Sequence, residues 1–109
     1  MPGQKTVALE SVLEYEACFW ISQELGVINT KFNTTSDTGY PDRIFWVPGG
    51  KPVLIEFKRP GGKVSPKQKY QIDRLRKLGY RVEVCSNAKD AFKAVKEELE
   101  AAQVSGRSS

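Results

Sequence analysis

The chain has 109 residues, which is enough for one domain with a single core and too few for two. Its composition, 39% hydrophobic and 28% charged, is typical of a globular protein in water. The sequence contains no histidine, which excludes the usual zinc sites, Ser-His and Cys-His nucleophile pairs and a histidine base. If this chain is an enzyme, it must use carboxylates, lysine, tyrosine or an oxygen-ligated metal.

The net charge is +4, and the basic residues are concentrated in one segment. Between residues 58 and 81 there are nine lysines and arginines and one acidic residue, Asp73. A segment of this kind attracts polyanions, so we expect a nucleic-acid partner. The alternative is a solvated helix face.

The expected location is the cytoplasm. Residues 1–9 lack the apolar segment of a secretory signal, and no apolar run reaches the roughly 18 residues that a membrane span needs. The two cysteines, Cys18 and Cys85, are far apart in sequence and are interpreted as small core residues in a reducing compartment.

The hydrophobic pattern predicts seven elements in the order α-β-β-β-α-β-α. They are a helix over 6–25, strands over 27–32, 43–47 and 53–57, a helix over 66–78, a strand over 80–85 and a helix over 87–103. The turn at 48–51 predicts a β-hairpin between the second and third strands. Residues 105–109 are predicted to be a disordered tail.

The helix after the third strand has a strong start signal. Ser65 can cap it, Pro66 suits the first helical position, and Gln68 can complete a capping box. Asn87 is the predicted cap of the last helix.

Three residues around the hairpin carry the chemistry. Glu56 and Lys58 are two apart on a strand and therefore project from the same face. Asp42 precedes the partner strand, so antiparallel pairing brings it near them, in a register that the sequence does not give. Two converging carboxylates suit Mg²⁺ or Mn²⁺, and a neighbouring lysine can hold an attacking water or stabilise transition-state charge. The alternative is a simple Glu56–Lys58 ion pair.

These residues resemble those of a known family. Gly39-Tyr40-Pro41-Asp42 followed by Ile55-Glu56-Phe57-Lys58 is similar to the signature of the PD-(D/E)xK nucleases. The run from Pro60 to Gln68 (PGGKVSPKQ), with Leu78-Gly79-Tyr80-Arg81-Val82, resembles the VRR-NUC (virus-type replication-repair nuclease) branch. The resemblance implies an α/β, restriction-endonuclease-like core, with a mixed β-sheet flanked by helices, in one domain over residues 1–104.

The resemblance also implies roles for individual residues. Asp42, Glu56 and the backbone carbonyl of Phe57 would bind Mg²⁺ or Mn²⁺. Lys58 would be the catalytic lysine. Gln68 would be an active-site residue, although its capping-box role is an alternative.

A further metal-linked glutamate is implied on the first helix, where Glu14 and Glu16 are the candidates. Glu16 has apolar neighbours one turn away on both sides, and a carboxylate there is costly without a compensating cation. Glu14 has more polar neighbours. The sequence therefore favours Glu16.

The predicted DNA-binding residues lie after the catalytic strand. The set is Lys63, Lys67, Tyr70, Arg74 and Lys77, of which the last four have the spacing of one face of the second helix. Contacts from such a face go to phosphates, which give affinity without sequence readout. No motif for base-specific recognition is visible.

The function implied by the resemblance is a metal-dependent DNA endonuclease. Relatives of this size from bacteria and phages are minimal domains that act as homodimers on branched DNA such as Holliday junctions or flaps, in DNA repair. We therefore expect a homodimer in the cytoplasm of a bacterium or a phage-infected host. The alternative is a nuclease-like module that binds DNA without cutting it.

Overall fold

The computed structural model describes residues 2–32 and 37–108, with side chains over 9–32 and 37–104. Its elements follow the predicted order α-β-β-β-α-β-α. They are α1 (Pro2–Leu25), β1 (Ile28–Lys31), β2 (Arg43–Trp46), β3 (Val53–Phe57), α2 (Pro66–Lys77), β4 (Arg81–Cys85) and α3 (Ala88–Ser108). No helix in the described ranges combines the length and apolar character of a membrane span.

Both predicted helix caps are confirmed. The Ser65 hydroxyl accepts from the Gln68 backbone N–H at 3.1 Å, and the Gln68 Oε1 accepts from the Ser65 N–H at 2.8 Å. At the start of α3, Asn87 Oδ1 accepts from the Asp90 N–H at 2.8 Å. Each pair satisfies backbone donors that the first helical turn leaves free.

The segment predicted as a tail continues helix α3 instead of leaving it at residue 103. Helix α3 continues to Ser108, and Ser109 lies outside the described residues. Ala101, Ala102 and Gln103 are good helix formers, so local propensity extends the helix into the polar end of the chain.

The sheet has the strand order β1-β2-β3-β4 and is mixed. β1 pairs with β2 and β2 with β3 in antiparallel fashion, whereas β3 and β4 are parallel. The predicted hairpin over 48–51 is confirmed, and its register sets Arg43 opposite Ile55. Asp42, one residue before Arg43, consequently lies beside the carboxyl end of β3.

Helices cover both faces of the central strand, so all five β3 residues are buried. Val53, Ile55 and Phe57 belong to the core that α1 and α3 cover. Leu54 packs with Ile72 of α2 on the opposite face. Since side chains alternate along a strand, Glu56 shares the α2 face with Leu54. A carboxylate thus lies within an otherwise apolar strand.

Candidate active site

The site lies where β3 ends and β2 begins. The Asp42 backbone N–H donates to the Ile55 carbonyl at 3.0 Å, which continues the strand pairing by one residue. Its side-chain Oδ2 accepts from the Phe57 N–H at 2.8 Å. The backbone of β3 therefore holds the Asp42 carboxylate beside Glu56.

Glu56 is only 3% exposed and has two polar neighbours on its Oε2 atom. Lys58 Nζ lies 3.6 Å away, and Gln68 Nε2 donates to it at 3.0 Å. Gln68 also completes the capping box, so one side chain both caps α2 and contacts Glu56. Lys58 itself is anchored by its backbone N–H, which donates to the Cys85 carbonyl at 3.0 Å.

Burial dominates the electrostatics of the two carboxylates. It raises the pKa of Glu56, together with the negative charge of Asp42, to about 7, although the Lys58 ammonium opposes the shift. Burial also raises the pKa of Asp42, against the opposing effect of the Phe57 N–H. A buried and a half-buried carboxylate side by side are unfavourable when both are charged, and a bound cation would relieve that cost.

The donor set fits a hard divalent ion. Asp42 and Glu56 supply carboxylate oxygens, and the intervening backbone can supply a carbonyl. Within 2–32 and 37–108, no three acidic, cysteine or histidine side chains form a cluster that could hold a metal alone. Mg²⁺ commonly takes one or two protein carboxylates and completes its shell with water and substrate phosphate, which agrees with this set.

The preference for Glu16 on the first helix does not agree with the structure. Glu16 is exposed and lines a groove with Val12 and Pro60. It is not among the principal charges that shift the pKa of either site carboxylate. Its apolar neighbours misled the prediction, since Val12 and Phe19 are themselves 51% and 57% exposed.

Two other glutamates of α1 face the site. Behind burial, the charges of Glu14 and Glu10 contribute to the raised pKa of Asp42, and Glu10 also acts on Glu56. Glu14 forms an ion pair with Arg43 Nε, and its side chain is 17% exposed. Glu10 accepts from the Arg59 N–H at 3.3 Å.

The sequence interpretation missed Glu10. A signal was available, because residues four apart share a helix face and Glu10 therefore had to lie on the side of Glu14. The sequence does not show whether the face of α1 with Glu10 and Glu14 or the face with Glu16 lies toward the edge of the sheet.

The predicted DNA-binding residues all lie at the surface. Lys63, Lys67, Arg74 and Lys77 are exposed, and Tyr70 is 63% exposed. Other basic residues of the segment are paired instead: Lys58 with Glu56, Lys69 with Asp73, and Arg81 with Glu83, Glu97 and Glu98. The exposed basic face of α2 thus continues from the site along the helix.

Gly39 fixes the loop that carries Asp42 against α2. Its φ is +88°, and a Cβ at this position would lie 2.7 Å from the Lys67 carbonyl oxygen. A side chain here would meet both a disfavoured backbone conformation and a backbone atom that cannot move aside.

Gly39→Ala is therefore expected to destabilise the protein by more than the roughly 1–2 kcal/mol of left-handed strain alone. Gly61→Ala is the matched control, since its φ is +80° and nothing lies within 4 Å of the added Cβ. Urea unfolding of the two variants measures the difference. Equal losses of stability would show that the contact with Lys67 is not tight.

The mixed sheet, with two carboxylates and a lysine at the adjoining ends of β2 and β3, defines a domain of the PD-(D/E)xK nuclease class. The model of the VRR-NUC domain family matches residues 12–89. The chain belongs to that family.

Individual relatives agree with this assignment. The chain is 39% identical over 60 residues to "Putative nuclease p44" of Acyrthosiphon pisum secondary endosymbiont phage 1, covering 55% of this chain and 64% of that protein. It is 46% identical over 48 residues to "Fanconi-associated nuclease 1" of Danio rerio, covering 43% of this chain and 5% of the fish protein. The chain thus spans less than two thirds of either relative.

Two solved structures share the fold. One, named "VRR_NUC domain", has a TM-score of 0.71 and 26% identity, with coverage of 81% of this chain and 95% of that one. The other, named "VRR_NUC domain protein", has a TM-score of 0.70 and 17% identity, with coverage of 84% and 88%.

Proposed function

We propose that this protein is a divalent-metal-dependent DNA endonuclease. The observation that carries the proposal is the convergence of Asp42, Glu56 and Lys58 at one end of the sheet, with Gln68 bonded to Glu56. Membership of the VRR-NUC family and the nuclease names of two relatives support it.

Each residue has a role in phosphodiester hydrolysis. Asp42, Glu56 and the Phe57 carbonyl would hold Mg²⁺ or Mn²⁺. The bound ion would supply charge neutralisation at the phosphate and activation of the attacking water. Lys58 donates hydrogen bonds to the water or to the charged phosphate oxygens. Gln68 keeps the Glu56 carboxylate oriented through its amide.

We propose Glu10 as the helix carboxylate of the site, because Glu14 is held by Arg43. Glu10→Gln is expected to weaken metal affinity about tenfold, the lower end of the range for residues that support a metal site. Glu16→Gln, on the same helix but away from the site, is the control. The rise in melting temperature with added Mn²⁺ reports the affinity. A larger loss of metal affinity in Glu16→Gln than in Glu10→Gln would instead assign the helix carboxylate to Glu16, as the sequence predicts.

The basic face of α2 is proposed to bind DNA phosphates. Changing Lys67 and Arg74 together to alanine should weaken binding to every sequence alike and flatten the salt slope by roughly two units, about one for each contact. The control is Lys89 and Lys96, which have the same spacing of seven on α3 and are also exposed. Fluorescence anisotropy across a salt series measures both. If the Lys67 and Arg74 double variant keeps the salt slope of wild type, this helix face is only solvated and does not bind DNA.

The proposed substrate is branched DNA, and the proposed active form is a homodimer in the cytoplasm. The part of one chain that the structure describes provides one candidate site, so two symmetric copies are the simplest arrangement for cutting two strands of a junction. Sedimentation of the protein with and without a junction tests the assembly.

The deciding experiment is Mg²⁺-dependent nicking of end-labelled DNA, with EDTA as the control. A panel of Holliday junction, flap, single-stranded and duplex substrates identifies the preferred structure. Salt-sensitive binding without cleavage would favour the alternative, a non-catalytic DNA-binding module. A protein that neither binds nor cleaves any of these substrates would overturn both the nuclease and the DNA-binding module.

A further inference from the structure

A cavity of about 410 Å³ lies between the loop at 37–38 and the first turns of α2. Gly39 joins its two walls, because its backbone lies against that of Lys67. Among the residues that the structure describes, two from the loop and four from the helix line the cavity: Asp37, Thr38, Pro66, Lys67, Tyr70 and Gln71. The cavity is thus a product of the close contact between the loop and the helix.

The helical wall offers three kinds of contact. Tyr70 presents a largely exposed ring, and Lys67 provides an exposed cation. Gln71 is only 9% exposed; its Oε1 accepts from Arg74 Nη1 at 3.4 Å, while its amide nitrogen donates to none of the described residues. That nitrogen retains solvent access, since no buried polar side-chain atom of the described part lacks a partner. A half-satisfied amide at a cavity wall suits an incoming acceptor.

We propose that this cavity binds one unpaired DNA base beside the scissile phosphate. A base has a π-face for Tyr70 and carbonyl or ring-nitrogen acceptors for the Gln71 amide. The basic face of α2 holds the backbone, and the cavity takes the base.

The cavity adjoins the catalytic residues. Gln71 follows Gln68 by three residues, and side chains at that spacing are roughly 5–6 Å apart on a helix. Gln68 in turn lies 3.0 Å from Glu56. The inference rests on the proposed function, and it gives that function a reason to prefer DNA with an unpaired nucleotide near the cut.

The test uses 2-aminopurine, a fluorescent base that stacking on an aromatic ring quenches. It is placed in turn at each unpaired position of a flap substrate and titrated with protein in EDTA. Wild type should quench one position strongly. Tyr70→Phe should keep this quenching, and Tyr70→Ala should lose it at saturating protein. Because Tyr70 is exposed, both variants should fold.

Lys77→Ala is the matched control, two turns further along the same exposed face of α2. It should weaken DNA binding but leave the quenching at saturation unchanged. Quenching that persists in Tyr70→Ala, or that occurs at no unpaired position of bound DNA, would overturn the cavity as a base site.

A cleavage measurement separates this inference from the proposed function. An abasic nucleotide at the quenched position should lower kcat/KM of wild type about tenfold, within the range for loss of one aromatic stacking contact. It should have a clearly smaller effect in Tyr70→Ala, in which only the Gln71 contact to the base is left to lose. Quenching without cleavage of any substrate would reject the nuclease and retain the base site. Cleavage that is insensitive to the abasic nucleotide would reject the base site alone.

Discussion

Lys58→Ala is expected to reduce cleavage at least about a hundredfold, the effect of removing one preorganised donor from a developing negative charge. The Lys58 ammonium lies 3.6 Å from Glu56 at the edge of the site, and its side chain is 16% exposed. Folding and DNA binding should persist, because the strand is held by backbone bonds that alanine keeps. Single-turnover cleavage and circular dichroism measure the two properties.

A second role of Lys58 must be separated from the first. Its positive charge lowers the pKa of Glu56, so the variant should hold a proton on Glu56 to higher pH. Raising the pH would then restore cleavage if Lys58 were only a counter-ion. We expect the rate of Lys58→Ala to stay low up to pH 9, and recovery to within a few-fold of wild type would contradict the catalytic assignment. Lys51→Ala, at the far end of the hairpin, serves as the control.

The elements were readable from sequence because local signals determined them. The capping box at Ser65 and the glycine turn between β2 and β3 depend on neighbours in the chain, and both formed as expected. The pairing of Asp42 with Glu56 followed from the hairpin. Its register needed the structure, because the sequence does not say which residues of β2 and β3 pair.

The choice between glutamates of α1 shows where local reasoning ends. Helical spacing groups Glu10 with Glu14 and separates them from Glu16, but it does not say which group faces the sheet. The group that faces the sheet depends on how α1 packs. Leu13, Ala17 and Ile21 are buried in the core, so the side of α1 that carries Phe19 faces away from it. Val12 and Phe19, which are exposed in the structure, look like core residues in the sequence, and this made Glu16 beside them the preferred candidate.

Asp42→Asn is expected to abolish cleavage while leaving the metal-free protein at least as stable as wild type. The asparagine can still accept the Phe57 N–H through its amide oxygen, so the strand contact survives. What disappears is the charge of the half-buried Asp42 beside the buried Glu56, and with it the repulsion between the two carboxylates in the native state. Removing an electrostatically unfavourable charge from an active site commonly stabilises a protein at the expense of its activity.

The pH dependence of stability gives this prediction a sign. In EDTA, Glu56 titrates near 7 in the folded state against 4.5 as its ordinary value, so the folded protein binds more protons between these values. Its contribution to stability is complete below about pH 4.5 and is lost as the pH rises through 7. In Asp42→Asn the loss should be smaller, because burial remains but the Asp42 charge is gone.

Added Mn²⁺ should reverse the order of the two proteins. Wild type should gain stability by mass action as the ion binds the folded state, whereas Asp42→Asn should gain much less because a proposed ligand is replaced. Thermal melting at pH 7.5, with and without Mn²⁺, measures both effects, and Asp73→Asn controls for loss of an exposed carboxylate that is paired with Lys69. An equal metal-induced rise in Asp42→Asn would mean that Asp42 is not a ligand. A metal-free Asp42→Asn that is less stable than wild type would mean that its charge stabilises the fold, and the electrostatic argument for a metal at this site would fail.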